Sequence, residues 1–144
     1  PNALGTARRI VHHLGGFSLS VPVPQRPLYH AAAVFASNYL AGLMNSAARL
    51  LAQTGVPEDE ALAAILPLAR GGLENLGRMG PIRALTGPIS RGDLETVRLH
   101  LRTLEPRERR LYATLGLELL NLAREGDLAE EEAEEIRMIL EEAR

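Results

Sequence analysis

The sequence predicts an all-α protein, a helical bundle arranged around one long central helix. Residues 27–48 contain no Asp, Glu, Lys or Arg, and a helix without charge over that length is buried on most of its faces. From residue 57 onward, helix-start and helix-stop signals divide the chain into further amphipathic segments. Beyond residue 24 no segment has the alternating pattern of a strand.

The central helix is predicted over residues 27–53. Pro27 suits a first helical turn, and Gly55-Val56-Pro57 ends the segment. At the rise of an α-helix its length is roughly 40 Å, enough to cross a small domain. We expect this helix to be nearly continuous and the most buried element of the structure.

The N-terminal region predicts a short α/β remnant. Residues 3–14 form an amphipathic helix, and residues 17–21 alternate apolar and polar side chains as a half-buried strand does. Because a strand needs a ladder partner, it either pairs with its copy in a second chain or belongs to a sheet outside this chain. We therefore assign residues 1–24 to the remnant of an upstream domain plus a hinge, and residues 25–144 to a helical domain.

Further helices are predicted over residues 57–79, 94–104, 106–124 and 128–143, with a loop at 80–92. Asp93 is the predicted N-cap of the second of these, and Asp127 with Glu130 forms a capping box for the last. That last helix is densely acidic, so we expect it on the outside of the bundle.

Composition excludes several functions. With 16 basic and 18 acidic residues, the net charge of the chain does not favour binding to nucleic acid or to an anionic membrane. No apolar run reaches the ~18 residues of a membrane span. The chain has no cysteine, which excludes disulfides and zinc-thiolate sites and makes the cytoplasm the expected compartment. The adjacent His12 and His13 point to different sides of a helix, and we expect no metal site.

The polar residues of the central helix share one side. At 100° per residue, five of them fall within an arc of roughly 120°: His30, Ser37, Asn38, Asn45 and Arg49. Short uncharged groups suit a half-buried cleft, where an unpaired charge is costly. The arc is therefore either the wall of a polar cleft or a plain solvent face or polar helix contact.

Two places could carry chemistry. His30 suits proton transfer near neutral pH and precedes Asn38 by two helical turns, although a buried structural histidine accounts for it equally well. Residues 86–90 offer backbone N–H groups and the hydroxyls of Thr86 and Ser90 before a helix N-terminus, which favours anions. An ordinary turn between helices is as consistent with that segment.

Three segments resemble a known family in the same order: residues 28–40 (LYHAAAVFASNYL), 67–75 (PLARGGLEN) and 84–93 (ALTGPISRGD). They are similar to landmarks of the DUF2520 family, Rossmann-like oxidoreductases of unknown function, in the C-terminal helical domain. The layout resembles 6-phosphogluconate dehydrogenase, pyrroline-5-carboxylate reductase and ketopantoate reductase. In ketopantoate reductase the equivalent helix carries Lys with Asn at i+4 and i+8. These positions fall on His30, Val34 and Asn38.

The resemblance implies the C-terminal substrate-binding and dimerisation domain of an NAD(P)-dependent oxidoreductase acting on a small carbonyl or imine. His30 and Asn38 are then the catalytic residues, and further polar residues bind the substrate: Ser37, Asn45, Thr86 and Ser90. NAD(P) belongs to the intact protein. Because the glycine-rich cofactor loop is not in this sequence, we expect no cofactor on this chain, no activity of the chain alone, and a homodimer. The alternative is a non-catalytic helical dimerisation or interaction module.

Overall fold

The structure is a computed structural model that describes residues 2–144, and it confirms the predicted all-α class. No strand occurs in that range. Two short 3-10 turns occur at Val23–Gln25 and Ile89–Arg91. The α-helices are α1 (Ala3–His13), α2 (Arg26–Ala36), α3 (Asn38–Ala52), α4 (Glu58–Met79), α5 (Pro81–Ala84), α6 (Leu94–Thr103), α7 (Pro106–Arg124) and α8 (Glu130–Glu142).

Contacts within the chain form two compact units, Pro1–Leu43 and Met44–Arg144. In the first unit, the Asn2 side chain accepts a hydrogen bond from the Gly5 N–H at 2.9 Å and caps α1. The strand predicted at 17–21 is not formed, and that segment is irregular. The reason is physical: the part of the chain that the structure describes offers no second strand to complete its backbone hydrogen bonds.

The predicted central helix is divided into α2 and α3. Ser37 separates them with φ −124° and ψ −66°, outside the helical region. Ser and Asn side chains compete with helical backbone hydrogen bonds and favour helix ends, and Ser37-Asn38 places the two types side by side. The break is one residue long, so near-continuity is correct and an unbroken helix is not.

The predicted burial of this helix pair is wrong for the single chain. Neither α2 nor α3 contains a buried residue, and Phe35 is 70% exposed. The absence of charge over residues 27–48 indicates a surface that suits packing against another protein surface. It does not require that the cover comes from the same chain.

The core of the second unit lies between α6, α7, α8 and the 3-10 turn Ile89–Arg91. Its buried residues are Ile89, Val97, Leu101, Ala113, Leu120, Ala133, Ile136 and Leu140. Helix α7 packs mainly on α8, and Gly116 provides the close approach. A Cβ there would lie 3.0 Å from both terminal methyls of Leu140. At this point of α7 only hydrogen fits without movement of Leu140.

Helix α8 corrects two predictions. Its acidic side is exposed as expected, but Ala133, Ile136 and Leu140 on the opposite side are fully buried, so the helix is part of the core. It also begins at Glu130 with Ala129 as N-cap and no side-chain capping bond, so the predicted capping box at Asp127 is wrong. An apolar stripe at i, i+3 and i+7 faces the core while charged residues occupy the opposite side of the helix.

Other helix ends confirm their sequence signals. Asp93 accepts from the Thr96 N–H at 3.1 Å and from the Thr96 hydroxyl at 2.7 Å, which fixes the start of α6. Helix α7 begins at Pro106 as predicted. Helix α4 continues past Pro67 to Met79. The predicted 80–92 loop contains α5 and the 3-10 turn Ile89–Arg91.

One ion pair connects α3 to α7 within the second unit. Arg49 lies 3.5 Å from Glu108, whose side chain is only 8% exposed. A carboxylate that is largely removed from water requires a partner. The polar arc of the central helix therefore loses Arg49 to a structural role.

Helix α4 carries an apolar stripe that the chain leaves half uncovered. Residues at i, i+3, i+4 and i+7 spacing lie on one side of the helix, and they are Leu62, Ile65, Leu66, Ala69, Leu73 and Leu76. Leu62, Leu73 and Leu76 are exposed. The element packed most extensively on α4 is the four-residue α5, which is too short to cover the stripe.

Candidate functional site

The beginning of α2 forms one wall of an open cleft of about 590 Å³ in the first unit. Arg26 and His30 are four residues apart, so they lie on the same side of α2 one turn apart. The irregular segment before the helix supplies Leu19, Ser20 and Val21, and Tyr29 completes the lining. The volume lies within the range of small-molecule sites, about 300–1,000 Å³.

The polar groups of this cleft are free to bind a ligand. Within residues 2–144, the side chains of Ser20, Arg26, Tyr29 and His30 take part in no hydrogen bond or ion pair. An imidazole can donate or accept a proton near neutral pH. A guanidinium one turn away can hold a carboxylate by two parallel hydrogen bonds. The cleft therefore suits a small anionic molecule with a group that changes protonation.

The sequence pattern predicted His30 as a site residue, but it did not predict the other polar residues of the cleft. Arg26 belongs to a proline-rich stretch that reads as a linker, and residues 17–21 read as a strand. The detectable signal was the i, i+4 spacing of Arg26 and His30 at a helix start marked by Pro27. Ser20 had no comparable signal, because it reaches the cleft only through the path of the segment before α2.

The other predicted residues of the first unit lie beyond the end of α2. Ser37 occupies the break, and Asn38 is the first residue of α3. The prediction that Asn38 lies two turns from His30 on the same side assumed a continuous helix. Because the helix is broken at Ser37, the spacing alone no longer places the two side chains on one side. Both side chains are exposed. Their roles remain predictions.

The remaining predicted residues lie in the second unit. Asn45 is exposed on α3 and Thr86 is exposed before the 3-10 turn. The Ser90 hydroxyl donates to the Gly87 carbonyl at 3.0 Å, so it stabilises its own turn. That bond supports the interpretation of residues 86–90 as a turn between helices. A shared site for Asn45, Thr86, Ser90 and His30 remains a prediction.

His100 is exposed and connects two helices. Its Nδ1 lies 3.0 Å from the Tyr112 hydroxyl, and the two rings meet edge to face with centroids 5.6 Å apart. Burial raises the pKa of the Tyr112 phenol. The pair joins α6 to α7 and stabilises the fold.

Metal and membrane sites receive no support in residues 2–144. No group of three His, Asp or Glu side chains in that range could hold a metal ion. None of its helices is both long enough and apolar enough to cross a bilayer.

The described residues do not fit a dinucleotide. A pyrophosphate-binding loop needs closely spaced glycines between a strand and a helix. Within residues 2–144 the positive-φ glycines follow no strand, so none of them belongs to such a unit: Gly15, Gly55, Gly80, Gly87 and Gly92.

The chain belongs to the family described as Domain of unknown function (DUF2520), whose model matches residues 1–119. No curated protein and no solved structure matches it. The match ends within α7, so α8 and its share of the core lie outside the family model. The family resemblance recognised in three segments is thereby confirmed at the level of DUF2520.

Proposed function

We propose that this chain is the substrate-binding and dimerisation domain of an NAD(P)-dependent oxidoreductase that acts on a small carbonyl or imine compound. The observation that supports this most strongly is the cleft at the start of α2, which combines an unpaired imidazole with an unpaired guanidinium. The resemblance to the helical domains of Rossmann-like oxidoreductases supports the reaction class. In the intact protein a nicotinamide cofactor would supply the hydride.

The pairing of Arg26 with His30 indicates the substrate class. A guanidinium recognises a carboxylate through two parallel hydrogen bonds, and a 2-oxo acid has its carbonyl carbon directly bonded to that carboxylate. Arg26 therefore binds the carboxylate, and His30 one turn further along α2 faces the oxygen or the imine nitrogen. His30 supplies the proton that this atom takes up on reduction. Tyr29 and Ser20 add hydroxyl groups that orient the substrate.

Ser37 and Asn38 lie at the junction of α2 and α3, and a contribution of both to this site is part of the proposal. An amide side chain can donate to a substrate oxygen and accept from a hydroxyl at the same time, which suits Asn38 to a substrate that changes from carbonyl to alcohol. For Asn45, Thr86 and Ser90 we retain a substrate-binding role as a prediction.

The homodimer is part of the proposal, because two apolar surfaces lack cover. On α2, Leu28 and Phe35 are 73% and 70% exposed, and on α4 the stripe that includes Leu62 and Leu73 is half exposed. A second copy covers such surfaces at an interface of about 800 Å² or more per partner. The charge-free sequence of residues 27–48 suits an obligate, core-like interface of this kind.

Isothermal titration calorimetry with pyruvate tests the substrate proposal. We expect binding to the full chain, with the dissociation constant raised at least about tenfold in Arg26→Gln and in His30→Gln, because each removes a charge-assisted bond. Arg9→Gln is the matched control, since Arg9 is an exposed arginine on α1 of the same unit that does not line the cleft. Absence of heat up to about 10 mM, above the usual range of enzyme substrates, contradicts the proposal.

The alternative is a non-catalytic dimerisation module, and the same uncovered apolar surfaces favour it. Under this alternative the chain dimerises but the cleft binds nothing. A chain that dimerises but binds no pyruvate supports the module. In that case Arg26→Gln and His30→Gln have no effect in the pyruvate titration.

A further inference from the structure

A second cleft lies in the unit Met44–Arg144 and is independent of the proposed function. Its volume is about 640 Å³, and it is bordered by α6, the first turns of α7 and the end of α8. Arg98 and Arg102 come from α6, Arg109 from α7, and Glu142 from α8. Leu101 and Ile139 form an apolar part of its surface.

The charges of this cleft are unbalanced. Three guanidinium groups face one carboxylate, and none of the four groups takes part in an ion pair within residues 2–144. Arg98 and Arg102 are four residues apart on one helix, where like charges repel and are destabilising. An anion placed between them removes that repulsion.

Arg109 is held in place at this cleft. Its Nη2 donates to the Leu104 carbonyl at 2.9 Å, which fixes the guanidinium at the junction of α6 and α7. Its Nε is buried without an acceptor in residues 2–144. Buried donors are nearly always paired, so this guanidinium retains hydrogen-bonding capacity at a place already enclosed by protein.

We propose that this cleft binds the phosphate group of a small molecule, through Arg98, Arg102 and Arg109. Guanidinium forks match phosphate oxygens in geometry, and three of them against Glu142 leave a net charge of +2 for a phosphate dianion. The apolar surface of Leu101 and Ile139 contacts the organic part of a phosphate monoester. Glu142 accepts a hydrogen bond from a hydroxyl of that part. The three arginines lie within the residues matched by the DUF2520 model, whereas Ile139 and Glu142 of α8 lie beyond it.

Calorimetric titration of the full chain with inorganic phosphate and with glycerol phosphate, at constant ionic strength, tests the site. We expect both to bind, and Arg98→Gln/Arg102→Gln to weaken both at least about tenfold, because two charge-assisted contacts are lost. Both arginines are exposed, so we expect the variant to fold, as surface substitutions usually change stability little. The matched control is Arg70→Gln/Arg83→Gln, which removes the same charge from exposed positions of the same unit.

The two phosphate sources are separated by Glu142→Gln and Ile139→Ala. A loss confined to glycerol phosphate assigns the site to a phosphate monoester. If Glu142→Gln and Ile139→Ala bind inorganic phosphate and glycerol phosphate equally well, the site is assigned to free phosphate. Either result supports the proposed anion site. Two results overturn it: no binding of either ligand up to about 10 mM, or equal weakening by the cleft variant and its control.

Discussion

The ring of Phe35 on α2 meets the ring of Tyr39 on α3 edge to face, with centroids 4.9 Å apart and planes at 67°. The contact spans the break at Ser37 and connects the end of α2 to the start of α3. Both rings are more than half exposed. An aromatic pair exposed to water on a surface without charge is typical of an interface rather than a solvent-facing surface.

The first prediction concerns assembly. Light scattering of the full chain at low micromolar concentration is expected to give twice the chain mass of 15.6 kDa, with an interface of more than about 2,000 Å² in total. Phe35→Glu is expected to shift the protein to monomer, because it places a charge in that interface. Leu68→Glu is the control, since Leu68 is equally exposed but lies off the apolar stripe of α4. A monomeric wild-type protein contradicts the assembly.

The second prediction concerns packing at Gly116. Gly116→Ala is expected to lower the free energy of unfolding by about 1–3 kcal/mol, because the new methyl overpacks buried Leu140. Its Cβ would lie 3.0 Å from the Leu140 methyls and 3.3 Å from Ile89 Cδ1.

The control for that substitution is Gly77→Ala on α4, where an added Cβ meets nothing within 4 Å. It is expected to raise stability by up to about 1 kcal/mol through helix propensity. Urea unfolding followed by circular dichroism, at one protein concentration, compares the two variants. Equal or greater stability of Gly116→Ala would refute the packing account.

The third prediction concerns pH. Hydrogen bonds from the hydroxyl and the N–H of Thr96 lower the pKa of Asp93. A lowered folded-state pKa adds stability that is present above the unfolded value of about 3.9 and is lost as the pH falls through the lowered value. The stability difference between wild type and Asp93→Ala should therefore shrink on acidification below that range. A difference that is constant from neutral pH to pH about 2 contradicts the capping role, and Asp59→Ala in the first turn of α4 serves as the control.

The fourth prediction concerns the cofactor. A titration of the chain with NADPH or NADH, followed by nicotinamide fluorescence, is expected to stay flat, because no glycine-rich loop for the pyrophosphate occurs in this sequence. A nucleotide-binding dehydrogenase measured in the same way is the positive control. Binding in the micromolar range would show that these helices hold the nucleotide themselves.

The sequence predicted what local chemistry decides. Asp93 accepts from Thr96 because an N-cap interacts with residues three positions away, and Pro106 starts α7 because its fixed φ suits a first turn. The buried side of α8 was also readable, from Ala133, Ile136 and Leu140 at helical spacing. The acidic composition of α8 led instead to the prediction that this helix lies on the outside of the bundle.

What the sequence did not predict depends on partners distant in the chain or outside it. Residues 17–21 have the pattern of a strand but no second strand within residues 2–144. Phe35 lies among apolar and uncharged residues in the sequence, as core residues often do, but it is exposed in the single chain. Arg26 joins His30 in a cleft only because the irregular segment before α2 forms the other wall. Each outcome requires knowledge of a neighbouring surface that a linear pattern does not contain.

The proposed contact between His30 and the substrate can be observed by nuclear magnetic resonance of the histidine side chains. The chain has four histidines, and His30→Gln identifies the signal of His30 by its disappearance. On titration with pyruvate, the His30 imidazole signals are expected to shift in a saturable way. Those of His12, His13 and His100 should stay in place. Unmoved His30 signals at saturating pyruvate, or equal shifts of all four histidines, would contradict the account.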